Sequence, residues 1–235
     1  MSLKQLKIIT TAKDFDDAFI QGDRLSIVKS KYDRKWLYSG LRRVCEGGHK
    51  ELAEFLIAKG ADNWNAGIYS ACERGHKELA ELMIAHGAND WNNSFRSACK
   101  GGHKELVDLM ITYGADIWNI GLYSACRGGH KDLVDFLITK GADNLDQGLM
   151  NACRGGRKEI AELVILKDAC EWNWALYSAY IGGHEELVEL MIAKGADAWN
   201  CALEGACEGD HKILIKLIIA KGAISCGCGK HLAEH

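Results

Sequence analysis

A chain of 235 residues, 48% of them apolar and 26% charged, holds enough apolar material for a large core. Its formal charge of −3 excludes the basic footprint of a DNA- or RNA-binding domain, so no nucleic-acid partner is expected. No apolar run reaches the roughly 18 residues that span a bilayer, and the opening stretch MSLKQLKIITTAKDFDD lacks an apolar signal core, which points to an intracellular chain with no membrane partner.

Residues 1–35 form a polar lead-in. Asp14 to Asp23, with Gly22, echoes a helix and its closing glycine, and Leu25, Ile27 and Val28 echo a second helix, so this segment is expected to cap the N-terminal end of a stack. Beyond it the chain repeats. His49, His76, His103, His130, Arg157, His184 and His211 follow one another at a constant interval of 27 residues.

The copy from Asn65 to Asn92 shows what each unit contains. Ile68, Ala71, Cys72 and Gly75 make an i, i+3, i+4, i+7 stripe, which predicts a short first helix with one apolar face. Asn65 is expected to cap its start, as are Asn92, Asn119, Asp146, Asn173 and Asn200 in other copies. Gly75 is expected to end this helix. A second helix then runs from about Lys77 to Ala85, with Leu79, Ala80, Leu82, Met83 and Ile84 inward, and Gly87 closes it in the left-handed conformation. Trp64, Trp91, Trp118, Trp172 and Trp199 precede the capping residue, where a large apolar group staples a helix start; a ladder of rings for stacking on a ligand is the other reading.

Six of the ten cysteines, Cys45, Cys72, Cys99, Cys126, Cys153 and Cys207, share one column of the first helix. Packed helices lie about 8–10 Å apart and a disulfide needs Cα atoms within about 7 Å, so the column is read as free thiols packing as small hydrophobes. The histidine column follows the helix-ending glycine and is expected to help cap the second helix. Its copies are too far apart to share one metal ion.

The copy Phe95-Arg-Ser-Ala-Cys-Lys-Gly-Gly-His103 through Gly114-Ala115-Asp116 resembles the ankyrin repeat. Ala98-Cys99 stands at the family's Ala-Ala, Gly102-His103 at its Gly-His, and Gly114-Ala115-Asp116 at its Gly-Ala-Asp. The resemblance covers roughly residues 39–223 and implies an all-α, ankyrin-like solenoid of two-helix repeats. The family's unit is about 33 residues and carries a β-hairpin finger, so at 27 the finger is expected to be missing. The chain has no proline, so the family's Thr-Pro does not occur. Short, proline-free copies with Trp-Asn are similar to ankyrin proteins of large DNA viruses, which implies a host-cell cytoplasmic setting and a host protein as partner.

The chain is therefore read as one elongated domain: a lead-in at 1–35, seven repeats over 36–223, and a tail at 224–235. Between residues 145 and 181 several columns change together. Leu145 replaces Trp, Arg157 replaces His, Asp168 replaces the closing Gly, Cys170 replaces Asp, and Tyr180 replaces the core Cys. Two readings stand: drift with repacking, in which Tyr180 finds a partner for its hydroxyl, or a bend or partner contact.

With the apolar stripe turned inward, the first helices present positions equivalent to 66, 69, 70 and 73 outward, the concave surface of ankyrin-like stacks. Along these columns lie Arg42, Tyr69, Arg96, Lys100, Tyr123, Arg127, Met150, Arg154, Trp174, Tyr177 and Ile181, with Glu204 and Glu208 at the far end. Tyr and Arg dominate interface hot spots, so this face is the candidate partner site, suited to an acidic segment beside an apolar anchor. No phosphate loop, nucleophile elbow or other catalytic constellation occurs, and no enzyme activity is expected.

The last helix, KILIKLIIA, is unusually apolar because Ile213 takes the place of an exposed acid. It raises a second reading, a monomer that self-associates weakly through its C-terminal end. The tail carries Cys226, Cys228, His231 and His235, four zinc-ligand types in ten residues, and gives a third reading, a zinc-binding adaptor; an unstructured tail competes with it. Apart from that zinc, no cofactor is expected.

Overall fold

A computed structural model describes residues 34–224 of the chain. The expected N-terminal cap over residues 1–35 lies outside the described residues except for Arg34 and Lys35, which open the first described helix, and the zinc ligands of the tail lie outside them too. Within them the chain is all α, with no strand and hence no hairpin finger. The first helices are α1 (Arg34–Gly47), α3 (Trp64–Arg74), α5 (Trp91–Gly101), α7 (Trp118–Gly128), α9 (Leu145–Arg154), α11 (Trp172–Gly182) and α13 (Trp199–Glu208). The second helices are α2 (Lys50–Ala58), α4 (Lys77–Ala85), α6 (Lys104–Thr112), α8 (Lys131–Thr139), α10 (Lys158–Ile165), α12 (Glu185–Ala193) and α14 (Lys212–Ala220). From α3 to α13 the first helices start every 27 residues, at 64, 91, 118, 145, 172 and 199.

The chain divides into two compact units, Met1–Asp116 and Ile117–His235. In the first, α3 packs between α1 and α5, and each first helix also packs on its own second helix. In the second, α7, α9, α11 and α13 follow the same order. The first helices form the spine because their inward faces are small. Ile68, Ala71 and Cys72 are fully buried, and a Cβ added at Gly67 would stand 2.6 Å from the Met83 sulfur. Burial of each large apolar side chain of this kind stabilises the stack by roughly 1.5–3 kcal/mol.

On the second helix the buried edge is Leu79, Ala80 and Met83. Leu82 and Ile84, expected inward, are only half-buried, because the helix packs along one edge and they flank it. Its ends are where the sequence puts them. Gly75 takes φ +82° at the close of α3, and a Cβ there would also stand 2.5 Å from the His103 ring of the next repeat. At the end of α4, Gly87 takes φ +109°, Gly87 N–H donates to Ile84 O at 3.0 Å, and Ala88 N–H donates to Met83 O at 2.9 Å, a Schellman close.

The helix starts differ from the expectation. The cap position falls on the residue before the tryptophan: Asn63, Asp90, Ile117, Asn144, Glu171 or Ala198. Asp90 and Asn144 accept from the backbone of Asn93 and Gln147 at 3.2 and 3.0 Å. Asn65 and its equivalents lie inside the helix at its second residue, and their oxygens turn to the next linker instead. Asn119 Oδ1 accepts from Asp143 N–H at 2.9 Å and Asn144 N–H at 3.1 Å, and Asn173 Oδ1 accepts from Asp197 and Ala198 at 2.8 and 3.0 Å. Two orphan donors of a linker outweigh one of the residue's own helix, so the column joins one repeat to the next.

Candidate functional site: the outer face of the first helices

Several of the repeated residues are engaged within the stack. Trp64 stacks on His86 with ring centres 5.1 Å apart, and Trp91 on Tyr113 at 4.6 Å. Each pair ties the start of a first helix to the end of its own second helix. The tryptophans are thus the first residue of the helix and half-buried, neither the expected preceding staple nor an exposed ladder. The histidines stand at the cap position of the second helix, yet their side chains make no cap bond. They reach back one repeat: His76 Nε2 to Glu46 O at 3.2 Å, His103 Nε2 to Glu73 O at 3.2 Å, and His211 Nε2 to Ile181 O at 3.0 Å. A carbonyl only accepts, so Nε2 carries the proton and donates. Among the described residues no group of three or more His, Cys, Asp or Glu side chains is placed to hold a metal ion.

Cys45, Cys72, Cys99, Cys126, Cys153, Cys170 and Cys201 are free thiols. Burial pushes Cys45, Cys72, Cys99, Cys126 and Cys153 up to about 12, which keeps them protonated and unreactive at neutral pH. Tyr180, in the same column, is fully buried, and among the described residues its hydroxyl has no hydrogen-bond partner, contrary to the expectation.

What remains outward is the face of the first helices. In the first unit it carries Arg42, Tyr69, Arg96 and Lys100. The guanidiniums of Arg42 and Arg96 are exposed and make no ion pair or hydrogen bond among the described residues. Lys100 is engaged, its Nζ 2.7 Å from Glu73 Oε1. Tyr69 is half-buried and donates to Asp90 Oδ2 of the following linker. Burial and that carboxylate together push its hydroxyl up to about 12.

In the second unit the face carries Tyr123, Arg127, Met150, Arg154, Trp174, Tyr177 and Ile181. Arg127 and Arg154 are exposed without an ion pair among the described residues, and Trp174 is 54% exposed with its ring edge-on to Tyr177 at 6.0 Å and 88°. Met150 and Ile181 are half-buried. Burial raises the Tyr123 hydroxyl, an effect that the Asn144 side chain nearby opposes, and Tyr177 Oη donates to Glu208 Oε2 at 2.7 Å. The Glu208 bond, then burial, pushes Tyr177 up to about 12.

The tyrosines are therefore not free hot spots, as a reading of residue type alone suggests. The hydroxyls of Tyr69 and Tyr177 are held by carboxylates, and all three rings are half-buried. The residues that reasoning from sequence passed over are Asp90 and Asn144, while Glu208, read there only as the acidic end of the face, is the acceptor of Tyr177. A signal was present: Asp90 and Asn144 each lie 21 residues after a tyrosine, Tyr69 and Tyr123, and where Ala198 breaks that spacing Tyr177 turns to Glu208. The shallow clefts of the second unit lie elsewhere, at the starts of α10 and α12, lined by Gly156, Lys158, Gly183 and His184.

Comparison with known families and proteins fits this geometry. The family profile described as ankyrin repeats, in three copies, matches residues 41–120, 95–174 and 122–200. A search of curated proteins finds no match. No described helix is long and apolar enough to cross a membrane. Ankyrin repeats are in general protein–protein interaction modules, and the match indicates no catalytic family. By the matched residues and by the paired helices that carry them, the chain belongs to the ankyrin-repeat family.

Proposed function

We propose that the chain is a protein-binding scaffold that takes an acidic polypeptide segment on the outer face of its first helices, with an apolar anchor seated near Trp174 and Tyr177. The observation that carries this reading is the exposed guanidinium of Arg154, without an ion pair among the described residues and close enough to Tyr177 to act on its hydroxyl, with Arg127 equally exposed two first helices before those rings. Exposed arginine next to aromatic surface suits carboxylates, since the guanidinium binds them bidentately and is only weakly hydrated. Arg42 and Arg96 extend the same chemistry on the first unit. The 27-residue copies without a hairpin, together with the Trp-Asn pairs, support placement among viral ankyrin proteins, acting in the host cytoplasm on a host protein.

The test is selection of a random 16-residue peptide library displayed on phage against the full chain, repeated on the variant Tyr123→Ala with Arg127→Glu. The expected outcome is enrichment of peptides with acidic residues next to a bulky apolar one, lost on the variant while its circular-dichroism melt is nearly unchanged. Equal enrichment on both proteins removes this face from consideration.

A further inference from the structure

The outer faces of the two units treat their charges differently. In the first unit, opposite charges on neighbouring first helices meet: Arg74 Nη2 lies 2.7 Å from Glu46 Oε1, and Lys100 Nζ lies 2.7 Å from Glu73 Oε1. In the second unit they are held apart. The column that holds Glu46, Glu73 and Lys100 continues there as Arg127 on α7, Arg154 on α9, Ile181 on α11 and Glu208 on α13. The helix α11, WNWALYSAYIG, carries no acidic or basic residue, and α13, WNCALEGACE, carries Glu204 and Glu208 and no basic one. Packed helices lie about 8–10 Å apart, so Arg154 and Glu208, two first helices from each other, are separated by roughly 16–20 Å and do not pair. Arg127, Arg154 and Glu208 are exposed, Glu204 is half-buried, and none of the four makes an ion pair among the described residues.

Packing fixes the middle of this series. Tyr177 Oη donates to Glu208 Oε2 at 2.7 Å, and a Cβ added at Gly205 would stand 3.0 Å from the Tyr177 ring. The ring therefore lies against α13 at the turn that carries both acids, and Trp174 stands edge-on to it on the open side. The Glu208 carboxylate has further lone pairs with which to meet a cation.

We propose that the second unit's outer face selects the order of side chains in the segment it holds: acids over Arg127 and Arg154, a bulky apolar residue over Trp174 and Ile181, and a basic residue over Glu204 and Glu208. This inference rests on the outer-face reading above and adds a cationic end and a fixed order to it. The reverse order would set like charges on one another. The spacing of the helices also names the conformation of the segment. A polyproline II chain turns once in three residues and rises ~3.1 Å per residue, so every third side chain faces the same way at about 9 Å, the interval between neighbouring helices. A β-strand, whose side chains alternate at ~3.3 Å per residue, matches that interval at neither two residues nor four.

The probe is the fluorescein-labelled peptide DPADPALPAK, with acids, leucine and lysine at every third place. It is compared by anisotropy on the full chain with DPAKPALPAD, a permuted peptide of the same composition. The expected result is binding about tenfold tighter for the ordered peptide. That preference should fall to about threefold on the variant Glu204→Gln with Glu208→Gln, where only the contrast over Arg154 survives. Glutamine keeps an acceptor for the Tyr177 hydroxyl, so the variant's melt should be nearly unchanged. Equal binding of the two peptides to the wild type, or an undiminished preference on the variant, overturns the proposal and leaves the outer face as a site for acidic peptides. Binding of neither peptide, while library-selected acidic peptides still bind, overturns it as well; with no library peptide bound, the outer-face reading falls with it. A stapled helical peptide carrying the same four residues at seven-residue spacing and binding more tightly than the ordered one puts a helix on the face and overturns the polyproline II occupant.

Discussion

The copy that opens at Trp64 and the copy that opens at Leu145 differ at the Trp, Asn, His and closing-Gly columns, yet the last three keep the same backbone roles. Asn65 Oδ1 accepts from Asn89 and Asp90 N–H at 3.0 and 3.3 Å; Asp146 Oδ1 accepts from Cys170 and Glu171 N–H at 2.7 and 3.0 Å. His76 donates to Glu46 O at 3.2 Å, and Arg157 Nε donates to Arg127 O at 3.3 Å. Gly87 takes φ +109°, and Asp168 takes φ +78° in its place. Each column therefore selects a role, an acceptor, a donor or a left-handed residue, and tolerates any side chain that fills it. The exceptions are the roles that need a particular shape: Leu145 has no ring to stack, and Tyr180 brings a hydroxyl that finds no partner among the described residues.

The sharpest way to break that comparison is at the second glycine of the hairpin between helices. Gly183 takes φ +75°, and a Cβ there would stand 2.5 Å from the His211 ring, whereas Asp210 in the same column takes φ +55° with no histidine of a later repeat among the described residues. Gly183→Asp is expected to lower stability by about 3 kcal/mol in urea denaturation, and Asp210→Gly to raise it by up to about 1 kcal/mol. Similar losses for Gly183→Asp and for a surface control would show that the ring contact is dispensable.

Next come the linker clips. Asn119→Ala leaves two linker amides without their acceptor and should cost about 1–2 kcal/mol, while Asp146→Asn, which keeps the acceptor, should change stability by less than about 0.5 kcal/mol. Calorimetry of both variants separates role from identity. Tyr180→Phe removes the stranded hydroxyl and should raise stability by about 1 kcal/mol, visible as a higher melting temperature; a loss instead would mean that the hydroxyl has a partner.

The smallest effect is on titration. Tyr177 in the folded chain is raised to about 12, first by its bond to Glu208 and then by burial, against an ordinary value of 10.0. A raised folded value means that the bond's contribution is whole below about pH 10 and is lost as pH climbs towards about 12. Absorbance at 295 nm should show Tyr177 ionising earlier in Glu208→Gln than in the wild type.

The paired helices were legible because two independent signals agree in each. The stripe of Ile68, Ala71 and Cys72 names the buried face, and glycines such as Gly75 and Gly87 name the ends, where only a left-handed residue turns the chain. Side-chain destinations were not legible. Asn65 has the chemistry of a cap, and nothing in its own repeat says that the next linker offers two donors where its own helix start offers one. The same holds for the candidate site. The exposure of Arg127 and Arg154 follows from helical phase, but the anchoring of Tyr69 and Tyr177 depends on Asp90 and Glu208, residues 21 and 31 positions away that only the stacking of repeats brings near.

The central claim is that partners meet the outer face of the first helices, because the Trp, Asn and His columns are already engaged within the stack. Amide-exchange mapping of the full chain with and without a captured acidic peptide tests it most directly. The account predicts slowed exchange over α9 and α11, around Met150, Arg154 and Tyr177, with α8, α10 and α12 unchanged. Protection confined to those second helices, with α9 and α11 unaffected, would contradict it.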